Sequence, residues 1–354
     1  MGDPVSSLSA EELVVLDEVR IDPDGRLSPE QREVARRMIA RHIKAFAIDP
    51  KNPTKTHLMR VALPLKEGAV PHQHAPSRLG EKGREIVAKH VHDMESRNII
   101  RKSNSPWASR VVIVSKKDGS TRFCTDFRDL NSKLKLQDSP IPFTISALDK
   151  MMSGGGGTVG AGTGHAAGAG RTDSLFLSTL DLASGFWTLP IVEEDKALTA
   201  FVTENQKYEY NYLPFGVQSG PSYMCRLIDA ALQGLAWDIC IPYLDDVGAW
   251  STGVGATLAE REASSFDQML TRMDMIFERL RWAGLSCKAS KCVCFATSAE
   301  YLGHIVSRQG LRMDPKKIQT VSDIDPTKIN TLRDVRAFLG LTSYSSRVNH
   351  PLMN

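Results

Sequence analysis

Two adjacent aspartates, Asp245 and Asp246, follow a short apolar run that is typical of a buried β-strand. The run covers residues 239–244, and the chain resumes as a second apolar run at 247–250, so the pair is expected at the tip of a β-hairpin. Adjacent carboxylates repel one another and raise each other's pKa unless a cation lies between them. Mg²⁺ relieves this repulsion, because it prefers oxygen ligands and bridges carboxylates to substrate phosphates. A solvated turn is the alternative interpretation of an isolated Asp-Asp pair.

Asp181 is the candidate for a third carboxylate, because it is the second-last residue of the β-rich run 175–182. Two metal ions held by such carboxylates can clamp the entering and leaving oxygens of a phosphoryl displacement. Spacing in the sequence does not bring Asp181 to the Asp245-Asp246 pair, so the prediction of a shared site depends on other segments.

A basic β-hairpin is predicted upstream of these carboxylates. Residues 110–115 and 122–126 are predicted strands on either side of Asp118-Gly119, a strong hairpin turn signal. Between Arg101 and Lys135 the sequence holds nine Lys or Arg and three Asp, which favours contact with phosphates. A solvated surface is the alternative explanation of the same charge run.

Apolar periodicity predicts helices that would pack around these strands. They are expected in residues 29–46, 80–100, 267–282, 315–321 and 331–344. Residues 153–170 contain nine glycines in 18 positions, a composition that predicts a disordered loop. A phosphate-cradling loop is disfavoured there, because no Lys-Ser or Lys-Thr ending follows the glycines.

Composition describes an ordinary globular chain. With 354 residues, 42% hydrophobic and 24% charged, we expect two or more lobes and no wholesale disorder. The six cysteines lack the spacing of a disulfide framework and are interpreted as reduced thiols. Spacing disfavours a metal site at His72 and His74 and another at Cys287, Cys292, Cys294 and His304. Without an apolar run of about 18 residues, we expect a cytoplasmic protein with no membrane contact.

Five ordered segments resemble the reverse transcriptases of gypsy-class LTR retrotransposons and, more distantly, of retroviruses. They are Ser105-Pro106-Trp107-Ala108-Ser109 with KKDGSTRFCTDFRDLN (116–131), STLDLASGFWTLPI (178–191), LPFGVQSGPSYM (213–224), YLDD (243–246) and YLGHIVSRQGLRMDPKKIQ (301–319). The similarity covers about residues 78–346, and five motifs in order are far more specific than any single one.

The resemblance implies an α+β right-hand polymerase of fingers, palm and partial thumb, with an antiparallel palm sheet covered by helices. The expected domains follow the chain. They are a partly disordered lead-in segment (1–77), fingers with the basic hairpin (78–150), the disordered glycine-rich insert (151–173), a palm (174–300) from which about 200–222 returns to the fingers, and a primer grip with an incomplete thumb or connection (301–354).

The resemblance also implies a role for individual residues. Asp181, Asp245 and Asp246 would be the catalytic metal carboxylates, holding two Mg²⁺ ions for which Mn²⁺ may substitute. The incoming dNTP would be bound by Lys116, Arg122, Leu182, Phe186 and Gln218, with Phe186 as a steric gate against a 2′-hydroxyl. Lys288 or Lys291 is the candidate general acid, and Leu302, Gly303 and His304 would form the primer grip.

The implied activity is RNA-directed and DNA-directed DNA synthesis on a template with an annealed primer, within a Pol polyprotein or virus-like particle. The alternative is a catalytically inactive nucleic-acid-binding remnant of a decayed or domesticated retroelement. An RNA-dependent RNA polymerase is disfavoured by Phe186 and by the order of the motifs.

The sequence departs from the family pattern at several positions. Ser219-Gly220-Pro221 stands where relatives carry Asn-Ala-Pro, and Met224-Cys225 where they carry Phe-Gln. The glycine-rich insert and a second extra stretch at about 252–265 are further departures. Because no RNase H, integrase or protease signature is present, we expect a piece of a larger Pol or a truncated product, with those domains as partners supplied elsewhere.

Overall fold

The structure is a computed structural model that describes residues 3–115, 121–137, 144–152, 174–183 and 185–313, with five isolated positions beyond 313 (324, 331, 332, 335 and 336). Its helices are α1 (Ala10–Glu18), α2 (Pro29–Arg41), α3 (Glu81–Ser96), α4 (Arg128–Lys133), α5 (Thr144–Met152), α6 (Gly220–Ala231) and α7 (Leu258–Trp282). Short 3₁₀ turns lie at Val5–Ser7, Ile43–Ala45, Gly185–Thr188, Glu193–Thr199 and Ala289–Lys291.

The strands form three sheets. They are β1 (Arg20–Ile21), β2 (Ile100–Lys102), β3 (Ser109–Ser115), β4 (Thr121–Asp126), β5 (Ser174–Asp181), β6 (Phe201–Val202), β7 (Lys207–Tyr210), β8 (Cys240–Tyr243), β9 (Asp246–Thr252), β10 (Val293–Ala296), β11 (Ser298–Tyr301), β12 (His304–Ser307) and β13 (Gly310–Met313). The predicted helices at 315–321 and 331–344 and the glycine-rich stretch at 153–170 lie outside the described residues.

The central sheet has the strand order β1-β10-β5-β9-β8. Its pairs are antiparallel except at the edge, where β1 runs parallel to β10. Both faces are covered, because α7 contacts β5 and β9 while α5 contacts β8 and β9. Leu177 and Trp250, which are partners in the ladder, are both buried in the cluster formed with α5. Double coverage explains why these strands carry apolar residues on both faces and do not alternate strictly with polar residues.

The second sheet has the order β2-β7-β6-β3-β4, and its strands come from two distant parts of the chain. β3 and β4 form the hairpin whose turn was predicted at Asp118-Gly119, positions that lie outside the described residues. β6 and β7 return from the 201–210 region, and β6 pairs with β3 in parallel. Buried aromatic contact between Phe201 and Tyr210, with ring centroids 5.3 Å apart, anchors the returning strands.

The small third sheet, β11-β12-β13, packs beside the central sheet at a glycine. A Cβ on Gly248 would lie 3.0 Å from Met151 Sδ and 3.1 Å from the Tyr301 ring. The Tyr301 hydroxyl donates to the Ile241 carbonyl at 2.7 Å, so the third sheet is bound directly to β8. The close approach at Gly248 therefore sets where the third sheet lies over the central one.

Helix α7 begins earlier than the periodicity predicted and contains most of the stretch that was interpreted as an extra insertion. Thr257 caps the helix in a reciprocal capping box with Glu260. The Ser251 and Ser265 hydroxyls, both buried, are 2.7 Å apart and link β9 to the first turns of the helix. Apolar periodicity does not reveal the start of this helix, because its early turns bury small polar side chains that form hydrogen bonds with the sheet.

The lead-in segment, for which the sequence predicts partial disorder, forms helices and a strand over residues 3–77 that pack against the rest of the fold. β1 extends the central sheet, with Arg20 opposite Val293 and Ile21 opposite Cys294. Leu16 in α1 and Ile39 in α2 are both 0% exposed, and α2 packs against α7. Each such buried side chain stabilises the docked segment by about 1.5–3 kcal/mol. The polar composition of the loops between these elements is why the sequence predicts disorder instead.

We expect Leu16→Ala to lower the free energy of unfolding by about 2–5 kcal/mol, because it removes a fully buried side chain and leaves a cavity. Urea unfolding followed by circular dichroism measures the change. Val14→Ala is the matched control, since Val14 is 61% exposed on the same helix and its truncation should change stability by less than about 0.5 kcal/mol. Equal stability of the two variants would show that α1 does not dock.

Candidate active site

A tight β-hairpin carries the two adjacent aspartates. β8 and β9 pair as far as Tyr243 opposite Asp246, which leaves Leu244 and Asp245 as the two-residue turn. Leu244 has φ 55°, a left-handed conformation that two-residue hairpins favour and that costs a non-glycine residue about 1–3 kcal/mol. Asp245 is exposed at the tip, and Asp246 is partly buried at the start of β9.

The ladder between β5 and β9 brings the third aspartate to the same place. Asp181 lies directly opposite Asp246 in the register of these strands. The Leu182 backbone N–H donates to the Asp245 carbonyl at 2.8 Å, so the end of β5 is bound to the hairpin tip. The three aspartates that the sequence proposed for one site thus lie together where β5 ends and β9 begins. This end of the two inner strands is called the edge of the site below.

The electrostatics of this edge are strongly negative. Burial raises the pKa of Asp246 to about 6, and the neighbouring charges of Asp245 and Asp181 add to the effect. Lys291 opposes it, because its Nζ donates to Asp181 Oδ2 at 2.7 Å. The hydrogen bond to Asp181 in turn raises the pKa of Lys291. Glu300 also raises the pKa of Asp246, so the Lys291 ammonium faces several carboxylates.

The donor set fits a hard divalent cation. Carboxylate oxygens are the ligands that Mg²⁺ prefers, and a bound cation would stabilise the ionised form of Asp246, which burial and the neighbouring carboxylates disfavour. Within the described ranges no three His, Cys, Asp or Glu side chains converge tightly enough to enclose a metal ion. At this edge the Asp181 carboxylate accepts a hydrogen bond from Lys291.

The two candidate general acids occupy different positions. Lys291 reaches the carboxylates with its side chain, as described above. Lys288 contacts the site through its backbone, since its N–H donates to the Asp181 carbonyl oxygen at 2.8 Å. The structure therefore brings the Lys291 ammonium, and the Lys288 main chain, to Asp181.

The cysteines near these lysines are buried thiols. Cys287 and Cys294 are each 0% exposed. A hydrogen bond with Cys292 and burial raise the pKa of Cys287, and burial raises that of Cys294. Cys292 Sγ contacts the Lys288 carbonyl at 3.3 Å. These thiols belong to the core beneath the site. They are free cysteines, in agreement with the prediction of reduced thiols.

Phe186 lies on the short 3₁₀ turn that follows β5. Its ring centroid is 5.2 Å from that of Phe215 in an edge-to-face arrangement. A Cβ on Gly220 would lie 3.3 Å from Phe186 Cε1, so glycine at this position gives the ring its space. The departure from the family pattern at Gly220 therefore lies against the predicted steric gate.

A second departure lies against the turn that bears Phe186. A Cβ on Gly185 would lie 2.9 Å from Met224 Cε and 3.9 Å from Asp245 Cβ. Met224, which stands where relatives carry Phe, is 2% exposed and fills the space that the missing side chain of Gly185 leaves.

The remaining predicted nucleotide contacts come from different elements. Leu182 is buried after β5, and Gln218 is exposed in the loop before α6. Arg122 is exposed on β4, opposite Val114. Lys116 lies outside the described residues, so its position relative to Arg122 stays a prediction.

Asn131 is a site residue that the sequence interpretation did not single out. Its side chain donates to the Gly216 carbonyl at 2.8 Å and accepts from the Gln218 backbone N–H at 2.9 Å. Asn131 therefore holds the loop that carries Gln218. The sequence feature that could have pointed to Asn131 is its place as the last residue of the motif at 116–131.

The predicted primer grip forms the turn between β11 and β12. Leu302 and Gly303 have φ 51° and 71°, the pair of positive angles expected of a type I′ hairpin turn. Both line a cavity of about 560 Å³ that Asp181, Asp246 and Lys291 also line. His304 is 3% exposed at the start of β12. The predicted primer-grip turn therefore shares one cavity with Asp181 and Asp246.

Similarity to known proteins agrees with this arrangement. The family described as "Reverse transcriptase (RNA-dependent DNA polymerase)" matches residues 114–306, more than half of the chain. The retrovirus-related Pol polyproteins of transposons opus and 297 from Drosophila melanogaster are 30% and 31% identical over 263 and 264 residues, each match covering 73% of this chain. The chain spans only 23% and 22% of those relatives.

A solved structure of a foamy viral protease-reverse transcriptase in complex with an RNA/DNA hybrid resembles this chain with a TM-score of 0.71 at 15% identity. The match covers 95% of this chain and 40% of the other. It confirms the predicted α+β polymerase fold.

None of the helices in the described ranges has the length and hydropathy that a membrane span needs.

We expect Asp246→Asn to raise the free energy of unfolding of the metal-free protein at about pH 8 by about 1 kcal/mol, after allowance for solvent screening. The folded-state pKa of about 6 lies above the unfolded value of about 3.9, so the ionised carboxylate destabilises the fold above about pH 6. The gain should shrink as pH falls through 6 toward 4. Urea unfolding in EDTA at several pH values measures it.

Asp267→Asn is the control for this comparison, because Asp267 is exposed on α7 and its neutralisation should leave stability nearly unchanged at every pH. If Asp246→Asn instead destabilised the protein at high pH, the proposed concentration of negative charge would be contradicted.

Proposed function

Since the chain belongs to the reverse transcriptase (RNA-dependent DNA polymerase) family, as its motifs predicted, we propose that it extends a primer 3′-hydroxyl with deoxynucleotides on an RNA or DNA template. The observation that carries the proposal is the β5–β9 register, which sets Asp181 opposite Asp246 with Asp245 beside them. Three carboxylates with one ammonium suit the binding of cations together with a polyphosphate.

Asp181, Asp245 and Asp246 would hold two Mg²⁺ ions, with Mn²⁺ as a substitute. Such ions supply Lewis acidity at the attacking hydroxyl and at the leaving phosphate. In the reaction the primer oxygen forms a bond to the α-phosphorus, the bond between the α-phosphorus and its bridging oxygen breaks, and pyrophosphate leaves. The protein's part is to orient these groups, which the rigid sheet edge favours.

Lys291 is the stronger candidate for the general acid. Its ammonium lies in the cavity beside Asp181 and carries a proton at neutral pH, which it would donate to the departing pyrophosphate. Lys288 would serve through its backbone, by fixing the Asp181 carbonyl.

The nucleotide would be bound from several sides. Lys116 and Arg122 would contact the triphosphate, Arg122 with the planar donor fork that suits phosphate oxygens. Leu182 would contribute its backbone carbonyl as a further ligand of the metal that bridges to the nucleotide, and Gln218 would be presented by the loop that Asn131 holds. Phe186 would lie under the sugar and exclude a 2′-hydroxyl.

We assign the central sheet to the palm, the second sheet to the fingers, and the third sheet to the primer grip formed by Leu302, Gly303 and His304. An RNA or DNA template with its annealed primer would then cross the cavity that the palm and the grip share. As the relatives are Pol polyproteins, we propose that RNase H and integrase act as partner domains, in the cytoplasm or in virus-like particles.

Purified chain is expected to incorporate dTTP on poly(rA)/oligo(dT) with Mg²⁺, and with Mn²⁺ in its place. The double variant Asp245→Asn/Asp246→Asn should lose at least about a thousandfold in rate, because it removes two of the three metal carboxylates. Lys51→Met, a change at an exposed lysine, is the matched active control. No incorporation above the double variant, combined with salt-dependent primer-template binding, would instead favour a catalytically inactive remnant.

Phe186→Ala is expected to lower the preference for dTTP over UTP by about tenfold or more, because the ring no longer excludes the 2′-hydroxyl. The ratio of kcat/KM for the two nucleotides measures it. Phe176→Leu, a change at a buried phenylalanine in β5, is a control for general loosening and should leave the ratio unchanged. Equal use of dTTP and UTP by the unaltered chain would point to an RNA polymerase.

A further inference from the structure

A lysine from the first 77 residues lies beside the turn that bears Phe186. Lys55 is partly buried, and its Nζ donates to the Trp187 carbonyl at 3.1 Å. The same Nζ lies 4.3 Å from the centroid of the Tyr212 ring, a cation–π distance. Burial lowers the pKa of Lys55 to about 8.

This burial has no carboxylate to offset it. Among the ion pairs of the described residues none involves Lys55, whereas buried lysines are rare unless they are paired. A carbonyl and an aromatic face are weaker partners for an ammonium than a carboxylate. Such an arrangement is costly to the fold, and buried groups of this kind concentrate at functional sites.

The neighbours of Lys55 tie the same turn to the core. The Thr56 N–H donates to the Thr188 carbonyl at 2.9 Å, and the Thr54 hydroxyl donates to the Gly284 carbonyl at 2.8 Å. Gly284 has φ 69°, and a Cβ there would lie 2.5 Å from the Lys55 carbonyl oxygen. The segment 54–56 is thus held between the end of α7 and the turn Gly185–Thr188.

The turn needs such support, because it is a 3₁₀ helix of four residues, and these have poor internal hydrogen-bond geometry. Its Phe186 ring is confined on the other side by Phe215 and by the close approach of Gly220. A shift of the Trp187 carbonyl would tilt the adjacent Phe186 backbone and withdraw the ring from its place.

We propose that Lys55 is a positioning residue for sugar discrimination: by holding the Trp187 carbonyl it fixes the Phe186 ring against the nucleotide sugar. The inference rests on the proposed polymerase function. It makes the amino-terminal segment part of the determinant that separates dNTPs from rNTPs, although that segment precedes every motif of the resemblance.

The test compares kcat/KM for dTTP and UTP in the full chain. Lys55→Met keeps an unbranched side chain as far as Cε and removes the donor, and it should lower the dTTP preference about fivefold, with dTTP incorporation itself reduced less than about twofold. Lys55→Arg retains a cationic donor and should restore most of the preference. Lys51→Met, at an exposed lysine of the same segment, should leave the preference unchanged.

A double variant separates positioning from loose packing. If Lys55 acts through Phe186, Lys55→Met should change the ratio less than about twofold when Phe186 is already alanine. An additive loss in the double variant, or an equal loss with dTTP and UTP in Lys55→Met, would overturn the inference. Should Lys55→Met fail to fold, Lys55→Gln provides the same comparison, with a shorter donor and the same expected loss of preference.

Failure of the proposed function gives a different result. Absence of dTTP incorporation by the unaltered chain would refute the polymerase proposal, and the Lys55 inference with it. An active chain whose preference is the same in Lys55→Met as in the unaltered protein would refute the Lys55 inference alone.

Discussion

The register of one antiparallel strand pair, β5 against β9, is the constraint on which the rest of the structure depends. A shift by one residue would turn Asp181 away from Asp246 and would move Leu177 and Trp250 out of their buried cluster. The hydrophobic contacts on both faces of the sheet therefore protect the register, and they hold the carboxylates in place indirectly. Helix α7 covers one face, and α5 with the third sheet covers the other.

Bringing three carboxylates to one edge costs stability, and several features of the site carry signs of this cost. Asp246 has a raised pKa, Leu244 takes a left-handed backbone conformation, and Lys291 is drawn to Asp181. Local strain and unpaired charge persist only where the surrounding structure over-determines them. Here the buried strands around the hairpin hold the strained residues in place. A large core thus supports a small strained site, an arrangement expected where activity and stability conflict.

The functional surface is assembled from parts that are far apart in the chain. β6 and β7 return to pair beside β3, and Asn131 holds the loop of Gln218. The segment before residue 78 adds β1 to the central sheet and places Lys55 against the turn of Phe186. This segment contributes to the core and to the site neighbourhood alike, so its order and the geometry of the site are linked.

The sequence by itself determined the family and many of the elements, and it proposed the chemistry. Apolar runs predicted β5 and β8, the turn signal predicted the β3–β4 hairpin, and the motif order indicated the family and the fold. Only the tertiary structure decided the rest. The packing of residues 3–77, the early turns of α7, and the contacts of Asn131 and Lys55 depend on partners tens to hundreds of positions away. Local propensity reports the neighbours of a residue along the chain, whereas burial and hydrogen bonding depend on which distant groups the fold brings into contact.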